Sequence, residues 1–311
     1  MSDDRTFMIP AMVQKIKNII NERIFRECSK KILQIEPYRL ASNHDGVCLL
    51  SQVQDKDITM YLLAVRSFFC HVNVSRCVVL GDNLTEKNKK LLSRHIVGIE
   101  VRDVTEFQFP ALPIGGTWER LYAISKYVQS DDVVQLDADT LTLKDLEIIN
   151  RCIHSNRGFL LGTENGREIK IAGEAVAFAD YQYQKGQDHI QILAERCLGI
   201  AAQLGYTKYV RGCSGFCGFP EKSFDADRLV ELSDSFSQML HDRWSDWGSE
   251  QFMSNLILSN LPETVVLPYD LYSVPARFSE RSVFVHFIGY QRYQNTLYSK
   301  LTKRIIANIN S

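Results

Sequence analysis

Apolar positions along the chain change their period several times, and each change predicts an element. Val47 to Val53 is a mostly apolar run of strand length, the pattern of a strand covered on both faces. Ile58, Tyr61, Leu62, Val65 and Phe69 then recur at intervals of three and four, which predicts a helix from Ile58 to Phe69. Cys77 to Leu80 predicts a second strand, ending at Gly81-Asp82, and Gly98 to Val104 a third. Pro110, Pro113 and Gly115-Gly116 mark a loop, after which Thr117 is placed to cap a helix running through Val128. Another apolar strand starts at Val133. This β-α-β-α alternation predicts an α/β domain with a mainly parallel sheet flanked by helices, and with ligands at the carboxyl ends of its strands.

Outside this stretch the pattern is less regular. Near the start, Ile9, Met12, Val13, Ile16, Ile19, Ile20 and Phe25 lie near helical spacing, with Lys15, Lys17, Arg23 and Arg26 among them. Such a helix is expected to pack on its own domain rather than lie on a membrane surface or a partner. The boundaries expected are a helical segment over 1–43, the main domain over 44–295 and a tail over 296–311. No Pro/Gly/Ser-rich linker, repeat or low-complexity tract divides the chain. Later, Arg211 to Pro220 is punctuated by glycines, which suits either close approach of the backbone to a ligand or a bulged strand. Trp247 to Leu256 predicts a helix with Ser249 near its cap and Glu250 and Gln251 in the first turn. Val283 to Gly289 reads as one more strand, carrying His286, with Arg292 in the loop that follows.

Composition narrows the function classes. With 311 residues the chain can bury a sizeable core, and 36 Lys+Arg against 37 Asp+Glu argues against a nucleic-acid binder that works through bulk positive charge. The 8 Cys are scattered, so neither a disulfide scaffold nor a structural zinc site is expected, and reduced thiols in a cytoplasmic setting are the reading. Neither a secretory leader nor a membrane-spanning run is expected from the pattern.

The chemistry concentrates where the Val133 strand runs into Asp137-Ala138-Asp139. At period two, Asp137 and Asp139 point the same way and could hold one divalent cation, which would anchor a diphosphate. The plainer alternative is a solvated acidic strand end. In the same way His286 is either a ligand or a satisfied core histidine.

Taken in order, these segments resemble the GT-A-fold glycosyltransferases of family 8, the glycogenin and bacterial galactosyltransferase type. The resemblance spans roughly residues 45 to 295. It is carried by Thr117-Trp118-Glu119-Arg120-Leu121, Leu136-Asp137-Ala138-Asp139, Cys213-Ser214-Gly215-Phe216, Glu250-Gln251-Phe252-Met253-Ser254-Asn255 and His286-Phe287-Ile288-Gly289-Tyr290-Gln291-Arg292. Glu250 stands where the family has Asp, and Arg292 where it has Lys, without the Pro-Trp that would follow.

The resemblance implies a GT-A fold and a glycosyltransferase that uses a nucleotide-sugar, UDP-linked, with a glycan, lipid-linked precursor or protein as acceptor. It implies Mn2+ or Mg2+ held by Asp137, Asp139 and His286. It places the donor along Ser51, Gln52, Asp57, Arg120, Asp137, Ala138, Asp139, Gly289 and Arg292, with Arg292 gripping the phosphates. Arg120 is expected to orient an aspartate or meet the donor sugar, and Gln251 to line the sugar's reactive face in a reaction with retention. An inverting enzyme would instead need a carboxylate base, for which Glu250 and Asp246 are candidates. Three other readings stay open. One is a haloacid-dehalogenase-type phosphatase, although Thr140 falls one place early for that motif. The others are a sugar-nucleotide pyrophosphorylase, for which no glycine-rich loop is found, and a non-catalytic carbohydrate-binding relative.

Overall fold

The computed structural model describes residues 4–41 and 46–309, with side chains from residue 12 onward within that range apart from Tyr290. The boundary expected between 43 and 44 therefore lies outside the described residues, as does the Ile9 side chain.

A seven-stranded sheet forms the centre, in the order Val265–Leu267, Phe159–Leu161, Cys213–Phe219, Val133–Leu136, Val47–Gln54, Val74–Asp82, Glu100–Asp103. Every neighbouring pair is parallel except those made by Cys213–Phe219, which runs against both of its neighbours. Pleating divides the Val47–Gln54 strand between two cores. Val47, Leu49 and Val53 join one apolar cluster with the Ile58–Phe69 helix, while Cys48 and Leu50 join another with the helices Trp118–Tyr127 and Ser249–Asn260. Both faces of the strand are thus covered, which is why it reads as an apolar run without alternation. Each fully buried large apolar side chain contributes about 1.5–3 kcal/mol, and Leu62, at 0% exposed, is such a position. Leu62→Ala would cost about 2–5 kcal/mol.

The elements expected from the sequence are present, with adjusted ends. The helix Ile58–Phe69 has the bounds expected, and the second and third strands are Val74–Asp82 and Glu100–Asp103. Three features differ. First, the strand before the acidic pair stops at Leu136, and Thr140–Thr142 belongs to a separate three-stranded sheet with Phe284–His286 and Tyr272–Ser273. Asp137, Ala138 and Asp139 therefore form the connection between two sheets, and strand period does not aim their side chains. Second, residues expected to be a tail form a helix, Leu297–Ile309, whose Tyr298, Leu301 and Ile305 lie in the core, where Tyr298 stacks between Phe25 and Phe287. Third, the first helix, Asp4–Ser29, does not bury its apolar stripe. Phe25 is buried, but Met12, Val13, Ile16, Ile19, Ile20 and Ile24 are exposed. The helix does pack on its own domain, but through Phe25, Cys28 and polar side chains such as Asn21, and the rest of the stripe faces away from it.

The Arg211 to Pro220 segment satisfies both of its alternatives. It is a strand with a register shift between Cys213 and Cys217, and it passes close to the side chains described next. All 8 Cys are free. Among the described residues, no helix is long and apolar enough to cross a membrane.

Candidate functional site

The site is assembled where the two sheets meet. The reversed strand begins at the edge where its parallel neighbours end, so Gly215 lies beside the acidic loop and its carbonyl accepts from the Asp137 N–H at 2.8 Å. On the other side, the register of the small sheet sets His286 opposite Thr140, and the Phe287 N–H donates to the Asp139 carbonyl at 2.8 Å. The Thr140 hydroxyl donates to the Asp137 carbonyl at 2.8 Å and closes the turn. Two chain segments distant in sequence, together with the loop's own Thr140, thus fix the backbone of one short loop.

The side chains then divide their oxygens. Arg120 Nη1 holds Asp137 Oδ1 at 2.6 Å, and Arg292 Nη2 holds Asp139 Oδ2. The remaining oxygens face the imidazole. His286 Nε2 lies 3.6 Å from Asp137 Oδ2 and 3.2 Å from Asp139 Oδ1. One ligand atom from each of the three residues falls within 4.8 Å of the others, a spacing that fits oxygen and imidazole ligands at about 2.0–2.2 Å from a shared divalent ion. Gly215 makes this convergence possible: a Cβ there would lie 2.8 Å from His286 Nδ1 and 2.9 Å from Asp137 Oδ2. Any side chain would have to displace the ring or the carboxylate.

Burial works against so much charge, and the pairing decides the outcome. Burial pushes the Asp137 carboxyl above its ordinary value in spite of Arg120 and His286. It pushes Asp139 the same way, but His286 and Arg292 together outweigh it and hold that carboxyl at about 2. For His286 burial favours the neutral ring, yet Asp139 prevails and the imidazole is held well above its ordinary value. Each aspartate thus has one oxygen held by an arginine and one turned toward His286, and this set of carboxylate oxygens and an imidazole nitrogen is of the kind a divalent cation could share.

Behind it sits a second layer that sequence reasoning read differently. Arg120, besides holding Asp137, reaches Glu250 Oε2 at 3.1 Å. That same oxygen accepts from Thr117 Oγ1 at 2.8 Å and Ser214 Oγ at 3.3 Å, while Glu250 Oε1 accepts from Ser254 Oγ at 2.7 Å. Glu250 is 1% exposed. A carboxylate so enclosed holds Arg120 in place. Thr117 also departs from its expected role. It precedes the helix in a left-handed conformation, φ 75°, and makes no capping bond, spending its hydroxyl on Glu250. Asp246, the other carboxylate considered as a base, is exposed and bonds Arg243 at 2.6 Å.

The remaining candidates fall into three places. Gln251 is half-buried, accepts from the Ser214 N–H at 3.4 Å and donates to Gln191 Oε1 at 3.3 Å. Asp57 is half-buried near Arg292 and Asp139, and burial raises its carboxyl. Ala138 is half-buried within the loop, and Gly289 is exposed, with φ 29°, beyond His286. Gln52 carries a buried Oε1 without a partner, an orphaned acceptor on the strand where the donor was expected. Ser51 differs: it is 0% exposed and its hydroxyl donates to the Leu136 carbonyl at 2.7 Å, a bond between strands rather than a ligand-facing group. Sequence reasoning missed Gln191, Gln135 and Ser254. Gln135, wholly buried, donates through Nε2 to the Ser214 carbonyl. A polar residue inside the Val133–Leu136 run was the signal that could have found it.

No protein-family model matches the sequence, and no curated protein matches it either. Solved structures do. The galactosyltransferase LgtC, solved in complex with donor and acceptor sugar analogs, superposes with a TM-score of 0.52 at 12% identity over 85% of this chain and 96% of its own. An active-site mutant of LgtC gives 0.51 at 13% identity, over 84% and 95%. The bifunctional glycosyltransferase WbbM is matched at 14% identity with a TM-score of 0.49, over 85% of this chain but 50% of that one, so the chain spans half its length. With the reversed strand, the two-sheet junction and the acidic loop in place, the chain has the GT-A fold of the glycosyltransferases.

Proposed function

We propose that this protein is a metal-dependent glycosyltransferase that moves a hexosyl group from a nucleotide-sugar, UDP-linked, to an acceptor, with retention of configuration. One observation carries the reading. Asp137 Oδ2, Asp139 Oδ1 and His286 Nε2 converge while the outer oxygen of each aspartate is held by its own arginine. A solvated acidic turn would not need two arginines and a glycine to aim it.

Asp137, Asp139 and His286 would hold the ion. An imidazole among the ligands favours Mn2+ over Mg2+. When bound, the ion supplies Lewis-acid neutralisation of the charge that develops on the leaving diphosphate. The protein's own residues do the rest. Arg120 and Arg292 keep the carboxylates in fixed orientations, so no reorganisation is needed as charge develops. Arg292 is half-buried, and its Nε already donates to the Phe287 carbonyl at 3.1 Å. Its role toward the donor is therefore exerted through Asp139 first and the phosphates second. Glu250 holds the other Nη of Arg120 and so fixes the guanidinium in the orientation in which it serves Asp137. Asp57 and Gln52 lie on the donor side. Gln251, held by Gln191 and the Ser214 amide, offers a fixed amide toward the sugar.

The test is donor cleavage without acceptor. A panel of nucleotide-sugars is incubated with the protein, with Mn2+, with Mg2+ and with a chelator, and release of the nucleotide diphosphate is followed. Cleavage of one donor that depends on the ion supports the reading. If no donor is cleaved and Mn2+ leaves the melting temperature unchanged, the cluster is a structural ion-pair network and the reading fails.

A further inference from the structure

The Asp4–Ser29 helix is built with its sides reversed. Asn21 Nδ2 donates to the Tyr293 carbonyl at 3.0 Å, Gln14 Nε2 to the Gln294 carbonyl at 3.2 Å, and Arg26 Nη1 to the Lys56 carbonyl at 3.4 Å. Polar side chains thus face the protein. Met12, Ile16, Ile20 and Ile24, spaced by four, form a stripe with Val13 and Ile19 on the opposite side, and these six are 39–67% exposed. Leaving so many large apolar side chains in water on one contiguous face marks an interaction surface.

The charges around the stripe identify what it meets. Lys15 sits one helical turn from both Met12 and Ile19, on one edge, and Lys17 one turn from both Val13 and Ile20, on the other. Arg23 follows at the far end, one turn from Ile19 and Ile20. The acidic side chains nearby are already engaged, Glu22 by Arg26 at 2.7 Å and Glu27 by Lys30 at 2.6 Å. None of the ion pairs among the described residues uses Lys15, Lys17 or Arg23. Both edges are therefore basic, so a second copy of the chain laid on the same face would bring like charge against like charge. An anionic sheet of lipid headgroups satisfies both edges at once, while the stripe enters the acyl boundary.

From this placement we infer that the outward face of the N-terminal helix docks on an anionic lipid bilayer, lying in the plane of the interface. The helix rests on the two loops that border the candidate site. Tyr293 follows Arg292, which holds Asp139, and Lys56 precedes Asp57. Docking therefore holds the site at the bilayer surface. If the transferase reading of that site is right, this favours an acceptor whose sugar is carried on a lipid. The docking itself does not depend on that reading.

The experiment is co-sedimentation of the full chain with vesicles of phosphatidylcholine alone and of phosphatidylcholine mixed with phosphatidylglycerol. The parent is expected to partition onto the mixed vesicles about tenfold more strongly than onto the neutral ones, and to be released by added salt. The exposed-face double variant I16E/I20E is expected to lose about tenfold or more of this binding, and K15E/K17E to lose the preference for the anionic vesicles. All four positions lie outside the candidate site, so both variants should cleave donor in solution at the parent's rate. Loss of docking is thereby kept apart from failure of the transferase reading. Absence of binding to the mixed vesicles, or variants that bind as the parent does, would overturn the inference. Light scattering that shows a dimer dissolved by I16E/I20E would overturn it too, by assigning the face to a second copy.

Discussion

Around Asp139, the charged side chains of Arg120, Asp139, Glu250 and His286 are buried, whereas along the N-terminal helix six large apolar side chains stand in solvent. Both regions invert the usual partition of residues, but they differ in compensation. In the site every buried charge has a partner of opposite sign, and the cost of burial is met within the chain. On the helix, none of the described residues covers the apolar face. The first inversion is thus stable by itself and incomplete only in its chemistry, since three ligand atoms converge on one point. The second is incomplete in its packing and calls for something outside the molecule. An anomaly of burial points to function most strongly when one asks what would complete it.

That contrast can be broken most severely at the ligand set. Asp139→Asn removes the carboxylate that Arg292 and His286 share. Donor cleavage is expected to fall by about three orders of magnitude, since the ion's charge stabilisation is worth several kcal/mol and each 1.36 kcal/mol is tenfold. Adding Mn2+, which should raise the melting temperature of the parent, should then leave the variant's unchanged. A variant that keeps both the rate and the thermal shift would show that the loop is merely structural.

Compensation is tested next at Glu250. Arg120 and Glu250 are 5% and 2% exposed as side chains, and Arg120 keeps Asp137 when Glu250 is neutralised. Glu250→Gln should therefore cost about 1–3 kcal/mol through the buried donors of Arg120, Thr117 and Ser214 that lose a carboxylate acceptor. Denaturant unfolding measures this. Arg120→Met combined with Glu250→Leu should recover much of the stability without recovering donor cleavage. Recovery of both would remove Arg120 from the site's machinery.

Gly215→Ala is milder in composition and acts through shape. With a Cβ inside contact distance of His286 Nδ1 and Asp137 Oδ2, the ring must shift, and Mn2+ affinity should fall about 10–100-fold with the buried ion pairs intact. Calorimetric titration of the ion gives the readout. Unchanged affinity would mean that the strand gives way at no cost.

The smallest effect sharpens the comparison by showing a buried charge that is less fully compensated. Glu195, 1% exposed, has Arg211 at 2.6 Å, yet burial pushes its carboxyl up from 4.5 to about 7. The folded state therefore holds the proton more tightly than the unfolded one. Its contribution is fully present below 4.5 and is lost as pH rises through about 7. Stability should decline across that window, by roughly 1.4 kcal/mol per pH unit at most, and Glu195→Gln should flatten the decline in thermal or denaturant melts. A parent whose stability does not change there would show that Arg211 compensates Glu195 fully.

What the sequence determined by itself was whatever a local period or a local ligand type encodes. Ile58 to Phe69 announces its helix, and Val47 to Val53 its strand, because burial on one stripe or on two faces leaves a direct imprint on residue choice. The Asp137–Asp139 pair, His286 and Arg292 were also legible, since few residue types can serve an ion or a phosphate. Tertiary structure decided the rest, because it depended on segments far apart in the chain. Which oxygen of each aspartate faces inward is set by Arg120 and Arg292, 17 and 153 residues away. What Glu250 holds is set by Thr117, Ser214 and Arg120 closing over it. Likewise the period of the first helix gave a stripe but not its direction. A helical pattern records that one face differs from the other, and only the packing of Asn21 and Gln14 on the chain near Arg292 turned the polar face inward and left the isoleucines outside.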